Sequence, residues 1–134
     1  ARVITALAAY KMPNSLGTLT LAAAMASIAN TAHIEAERAR NTDVRAFTVK
    51  AFAEMGVSGT NSQANFLFMD LKRPAKGFRD ACRTAGVLVG RDFPPFEQQY
   101  CRISIGTMDE MQKAVAVFRT ALAGAPATSR QGGR

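Results

Sequence analysis

The stretch "CRISIGTMDEMQKAVAVF", residues 101–118, joins a strand pattern directly to a helix pattern. In its first part apolar and polar residues alternate, so that the apolar side chains share one side of an extended chain while Arg102 points to the other. Thr107 and Glu110 have the spacing of a capping box, which marks the start of a helix. The stretch therefore predicts a strand followed by a helix, and it leaves the arginine on the strand to be explained.

The residues upstream predict a second strand, a helix and a third strand. "ANFLFMDL", residues 64–71, alternates over a length typical of a strand, and both of its faces are apolar, which indicates cover on both sides. "RPAKGFRDACRTAG", residues 73–86, predicts a helix between Pro74 and Gly86. "VLV", residues 87–89, predicts a short strand. Together with the opening stretch, this order of strand, helix, strand, strand, helix predicts an α/β layer with helices on one face of the sheet.

The first third of the chain predicts helices. "LGTLTLAAAMASIA", residues 16–29, is rich in alanine and too short to span a bilayer, so we expect a buried helix. A second helix is expected over about residues 33–55, polar in its first half and amphipathic in its second. A helix of that kind typically leaves one body and docks on another, so it is expected to connect two domains. Residues 124–134 have no periodicity and are expected to form a flexible tail.

Composition limits the classes of function. The 134 residues have the length of one domain, with 48% hydrophobic and 20% charged residues, as in an average globular protein. The net charge of +7 comes from scattered basic residues, so charge patterning does not favour a nucleic-acid partner. Cys82 and Cys101 are the only cysteines and are expected to be buried hydrophobes rather than zinc ligands or a disulfide. With no targeting or membrane segment visible, we expect a cytoplasmic protein with no membrane partner.

The usual catalytic patterns are missing from the sequence, and we predict no catalytic, cofactor-binding or metal-ligating residue within it. Arg102 is the main candidate for binding. A guanidinium can donate two parallel hydrogen bonds to a carboxylate and keeps its charge at any working pH. A strand would also hold it in a fixed direction. Its spacing alone favours a solvated arginine over a binding residue.

Three stretches resemble a known family. "SQANFLFMDL", "GVLVGRDFPPF" and "CRISIGTMDEMQKAVAVF" are similar to the C-terminal part of class I/II aminotransferases of fold type I, which use pyridoxal 5'-phosphate, and most closely to the histidinol-phosphate aminotransferase-like group. The resemblance implies a small α/β domain formed by long connecting helices and a strand-helix-strand-strand-helix layer. Residues 1–32 would then end the large cofactor-binding domain, 33–123 would form the small C-terminal domain with its connecting helix, and 124–134 would be the tail.

The resemblance also implies roles for single residues. Arg102 matches the arginine that binds the α-carboxylate of the amino-acid substrate, and Arg91 matches one near the substrate's side chain, although Gly90 is an insertion there. Asn65 and Phe66 match positions that border the active site. The loop over residues 90–96, stiffened by two prolines, could line or cover the side-chain pocket.

The implied reaction is the transfer of an amino group between an amino acid, histidinol phosphate-like or aromatic, and a 2-oxo acid in a homodimeric enzyme. No lysine here lies in the context of the family's Schiff-base lysine, so the chain looks like a C-terminal segment that is inactive alone. This interpretation predicts an apolar surface between residues 14 and 50. A free-standing basic α/β module that binds RNA or a protein remains the alternative.

Overall fold

A computed structural model describes residues 2–10 and 16–124 of the chain. Within these residues it contains helices and strands in the following order: α1 (Arg2–Ala8), α2 (Thr18–Ala29), α3 (Thr31–Glu54), β1 (Ser58–Gly59), β2 (Phe66–Asp70), α4 (Ala75–Thr84), β3 (Tyr100–Ser104) and α5 (Met108–Ala123). The mixed α/β class predicted from the sequence is confirmed. The predicted flexible tail lies outside the described residues, apart from Gly124.

The three strands form one antiparallel sheet with β2 in the middle. Leu67 of β2 lies opposite Ile103 of β3, and Phe68 lies opposite Arg102. Because side chains alternate across a strand, this register places apolar residues on one face and Arg102 among aromatic residues on the other. The buried face carries Leu67, Met69, Cys101 and Ile103.

The buried face of the sheet shares one core with α4, α5 and the second half of α3. Phe118 of α5 is central, since its ring lies 5.3 Å from the ring of Phe52 and 5.6 Å from that of Phe78. Cys82 and Cys101 are buried in this core as predicted, and burial raises the pKa of their thiols to about 11 and about 12 respectively. The two cysteines therefore act as small hydrophobes.

The chain divides into two compact units, Ala1–Ala36 and Glu37–Arg134. In the first unit α1 and α2 contain no buried residue. The prediction that residues 16–29 form a buried helix is therefore right about the helix and wrong about its burial, because the apolar side chains Leu19, Met25 and Ile28 are exposed. The described part of residues 14–50 thus has the apolar surface that the aminotransferase interpretation predicts. No helix within residues 2–10 and 16–124 has the length and apolar character needed to span a membrane.

Two strand predictions require correction. Residues 87–89 are not a strand, because the N–H of Val87 closes the end of α4 by donating to Cys82 O at 2.9 Å. Within residues 87–90, Gly90 alone donates a backbone hydrogen bond to β3, at Arg102 O (2.8 Å). Conversely, no strand was predicted between α3 and β2, where the structure contains the short strand β1. Gly59 permits this pairing, because a side chain there would collide with Met69.

The turn after β3 is fixed from two sides. The predicted capping box is present: Thr107 N donates to Glu110 Oε2 at 2.7 Å, and Glu110 N donates to Thr107 Oγ1 at 3.3 Å. From α3, Arg40 donates to the carbonyl of Gly106 at 2.7 Å and pairs with Glu37. Hydrogen bonds therefore fix the turn after β3 at two points, the carbonyl of Gly106 and the start of α5.

Thr107→Ala is expected to lower the free energy of unfolding by about 1 kcal/mol, since an N-cap oxygen is lost, while Thr107→Ser should retain most of it. The hydrogen bond from the Thr107 N–H lowers the pKa of Glu110 below its usual 4.5. The box therefore contributes its full stability above about pH 4.5 and loses it as the pH falls through the lowered value. Urea unfolding across this range tests both points. Equal stability of the alanine and serine variants would contradict the capping role.

Candidate functional site

A pocket of about 480 Å³ opens on the aromatic face of the sheet. Its base is formed by side chains of β2 and β3, and its side by the loop that leads into β3. The lining residues are Thr60, Phe66, Phe68, Phe93, Pro94, Phe96 and Arg102. Arg102 is the only one of these described lining residues with a charged side chain, so they combine an apolar lining with one cation.

The walls of the pocket are held by contacts between aromatic rings. Phe68 stacks on Tyr100 with their ring centroids 5.0 Å apart. Phe93 and Phe96 both meet Phe68 edge to face, at 6.1 and 5.9 Å. Aromatic pairs of these geometries contribute about 0.5–1.5 kcal/mol each beyond their buried area. The cluster therefore joins the loop at residues 93–96 to the sheet.

Arg102 is held by aromatic faces rather than by a carboxylate. Its guanidinium carbon lies 5.1 Å from the ring centroid of Phe66 and 5.4 Å from that of Phe93. Its Nε is buried and has no hydrogen-bond partner among the described residues. Three other arginines in the described residues instead pair with carboxylates: Arg40, Arg79 and Arg119.

A buried donor without an acceptor is costly, which favours binding of an anionic group from outside the chain. The rings fix the plane of the guanidinium, and a fixed planar fork suits a planar anion that can accept two hydrogen bonds. Carboxylates have this geometry. The arrangement at Arg102 can therefore bind a carboxylate beside an apolar, planar group that packs on the phenylalanine rings.

The backbone of Arg102 is held by Gly90. A Cβ atom at position 90 would lie 2.8 Å from both the Cβ and the carbonyl oxygen of Arg102. Because real Cβ atoms do not approach other heavy atoms so closely, only glycine permits the observed hydrogen bond from Gly90 N to Arg102 O. The glycine that the sequence shows as an insertion is thus the residue that lets the loop lie against β3.

The structure brings together two of the four predicted site residues. Phe66 and Arg102 line the same pocket and are in contact. Arg91 is exposed and lines a neighbouring cleft, although its guanidinium carbon lies 4.6 Å from the ring centroid of Phe93. Asn65 is also exposed, and its carbonyl accepts a hydrogen bond from Ile105 N at 2.8 Å.

Some pocket residues were not predicted from the sequence. Phe68 follows Phe66 by two positions, so the alternation of β2 already placed it on the same face. Its place beside Arg102 depends on the register between β2 and β3, which the sequence does not show. Thr60 enters the pocket because β1 pairs with β2, and the sequence did not predict β1.

The sequence and the fold both have relatives among known proteins. A family model described as aminotransferase class I and II matches residues 1–118. A curated histidinol-phosphate aminotransferase from Symbiobacterium thermophilum is 31% identical over 121 residues, which is 90% of this chain and 33% of the relative. The chain therefore spans about a third of the length of the curated relatives it matches.

Two crystal structures are similar in fold. A protein assigned as a histidinol-phosphate aminotransferase from Erwinia carotovora atroseptica has a TM-score of 0.72 and 33% identity over 89% of this chain and 34% of its own. A protein from Burkholderia pseudomallei assigned as an aminotransferase has a TM-score of 0.67 and 26% identity, over 90% of this chain and 37% of its own.

Proposed function

Because this chain belongs to the class I and II aminotransferase family, we propose that it binds the substrate in a transamination, with Arg102 holding the substrate carboxylate. The observation that carries the proposal is the guanidinium of Arg102, which lines the aromatic pocket, rests on two rings and has no acceptor among the described residues. The chain would be the C-terminal part of the enzyme, with a small domain over residues 33–123.

Different pocket residues would contact different parts of the substrate. Two N–H groups of Arg102 would bind the carboxylate, which fixes the direction of the bonds at the α carbon. The rings of Phe66 and Phe93 would exclude water and pack against a planar side chain. An aromatic amino acid fits such walls with its carboxylate on Arg102. A histidinol phosphate-like donor carries a phosphate in place of the carboxylate, and Arg102 would then bind that phosphate while the imidazole packs against the rings. Arg91 and Asn65 would then lie at the border of the site, with Arg91 toward the substrate's side chain.

Pyridoxal 5'-phosphate is the cofactor that the family implies, and when bound it supplies an electron sink for chemistry at the α carbon. Among the residues that the structure describes, no lysine lines this pocket. The described lysines, Lys50, Lys72, Lys76 and Lys113, are all exposed. The described residues thus do not fit a Schiff-base site, and we propose that the cofactor is held by residues outside this chain and that the chain alone does not transaminate.

We also propose that the enzyme is homodimeric and cytoplasmic and acts on amino acids and 2-oxo acids. These three parts of the proposal are based on family membership. The alternative of a module that binds RNA or a protein has no comparable support. Several basic residues are neutralised by ion pairs on the surface of the described chain, in the pairs Arg40–Glu37, Lys76–Asp80, Arg79–Asp92 and Arg119–Glu54. Such pairing reduces the positive field that a polyanion needs.

The direct test is an assay of the complete protein that contains this chain, supplied with pyridoxal 5'-phosphate. Amino-group transfer from L-phenylalanine or histidinol phosphate to 2-oxoglutarate is expected, with no turnover by the 134-residue chain alone. Loss of activity on removing the cofactor and its return on adding it back complete the expected result. A complete, folded protein that transfers no amino group from any amino acid would refute the proposal.

A further inference from the structure

We propose that Arg79, which lies on α4 outside the pocket, is a positioning residue for Arg102, acting through an ion-pair latch with Asp92 in the loop that forms one side of the pocket. This inference rests on the proposed function for its effect on substrate, but the latch itself is a feature of the fold.

The loop needs such a latch because its backbone is weakly fixed. Ala85, Gly86 and Val87 donate backbone hydrogen bonds that close the end of α4. Between these and residue 93, the described chain has one further backbone donor, Gly90, which donates to Arg102. No strand pairing continues past Gly90. The direction of the three residues that follow must therefore be set largely by their side chains.

Asp92 supplies that fixation. Arg79 Nη2 donates to Asp92 Oδ2 at 2.8 Å, and Arg79 Nη1 donates to Asp92 Oδ1, so that the guanidinium holds both carboxylate oxygens. The side chain of Arg79 is 18% exposed, compared with 49% for Arg119 in the pair with Glu54, while the two carboxylates are about equally exposed, at 47% for Asp92 and 48% for Glu54. A two-pronged, partly buried pair holds geometry better than an exposed one.

The latch is adjacent in sequence to the ring that contacts Arg102. Phe93 directly follows Asp92, and its ring centroid lies 5.4 Å from the guanidinium carbon of Arg102. The loop therefore meets β3 at two points, through Gly90 at the backbone of Arg102 and through Phe93 at its side chain, with Asp92 anchored between them. Release of Asp92 would leave Phe93 held by its ring contacts with Phe68 and Arg91, and would loosen one of the two rings that orient the guanidinium.

The test uses Arg79→Ala, Asp92→Ala and the double variant in the complete protein, with Arg119→Ala as the matched control. Arg119 also forms a long-range ion pair, with Glu54, but touches neither the loop nor the pocket. Two measurements are made: hydrogen exchange of the Gly90 amide, and KM and kcat for L-phenylalanine. A lost partly exposed pair is expected to raise KM about fivefold, with a smaller change in kcat.

The expected result is faster exchange at Gly90 and a higher KM in both single variants, with the double variant no worse than either, because the two residues act as one unit. Arg79→Lys should lie between wild type and Arg79→Ala, since it keeps the charge but not the fork. Arg119→Ala should leave both readouts unchanged.

Unchanged exchange at Gly90 in Arg79→Ala would overturn the latch, whatever the protein catalyses. Faster exchange with an unchanged KM, or an equal rise of KM in Arg119→Ala, would overturn the positioning role. If the wild-type protein has no aminotransferase activity while exchange still responds to Arg79, the proposed function and the substrate role both fall and the latch stands.

Discussion

Replacing Arg102 by alanine in the complete protein is expected to lower kcat/KM for an amino-acid substrate about 100-fold, because two hydrogen bonds to a charged carboxylate contribute roughly 3 kcal/mol. The loss should appear mainly as a higher KM if the contact is equally strong in the ground and transition states, and in kcat as well if it orients the α carbon. Steady-state kinetics with L-phenylalanine separate the two.

Two controls accompany this variant. Arg102→Lys keeps the positive charge but lacks the planar fork, so its kcat/KM is expected to lie between those of wild type and Arg102→Ala. Thermal unfolding should shift only modestly in Arg102→Ala, because the side chain loses its cation–π contacts with Phe66 and Phe93 but makes no hydrogen bond or ion pair with the described residues. Turnover close to wild type in a folded Arg102→Ala protein would defeat the assignment.

The second large effect is expected at Gly90. Gly90→Ala places a Cβ 2.8 Å from the Cβ and the carbonyl oxygen of Arg102, so either the loop or β3 must move. Forcing one extra carbon into a close contact typically costs about 1–3 kcal/mol of stability. Because the displaced residue is Arg102, kcat/KM should fall together with the free energy of unfolding.

Gly77→Ala is the matched control for this substitution. Gly77 lies inside α4, and a Cβ there would meet no atom within 4 Å. Alanine in an exposed helix interior is favoured over glycine by about 1 kcal/mol, so this variant should be slightly more stable and equally active. Urea unfolding and kinetics of both variants provide the comparison. A Gly90→Ala protein as stable and active as the Gly77→Ala protein would contradict the close approach at Arg102.

Local patterns predicted much of the fold. The capping box of Thr107 and Glu110, the helix end at Gly86 and the alternation in β2 each depend on neighbours within a few residues, and each is present in the structure. Helical spacing is a weaker guide to burial on α4. It places Ala81 and Ala85 near the face of Phe78, but both are exposed, because small side chains at the margin of an apolar stripe need no cover.

The site could be predicted only in part, because it is assembled by contacts between distant segments. The family resemblance selected Arg102, and the prolines suggested a loop that lines the pocket. The register that sets Phe68 opposite Arg102, and the latch between Arg79 and Asp92, join residues 34 and 13 positions apart. Such pairings depend on how the elements pack together, so no local pattern in the sequence could indicate them.

The most direct test of the central claim is the dependence of the Arg102→Ala loss on the substrate carboxylate. Amino-group transfer by the complete wild-type and variant proteins would be measured with L-phenylalanine and with 2-phenylethylamine, which lacks only the carboxylate. If Arg102 binds that group, the variant should lose about 100-fold in kcat/KM for the amino acid and little for the amine. An equal loss for both substrates would contradict the claim that Arg102 is the carboxylate receptor.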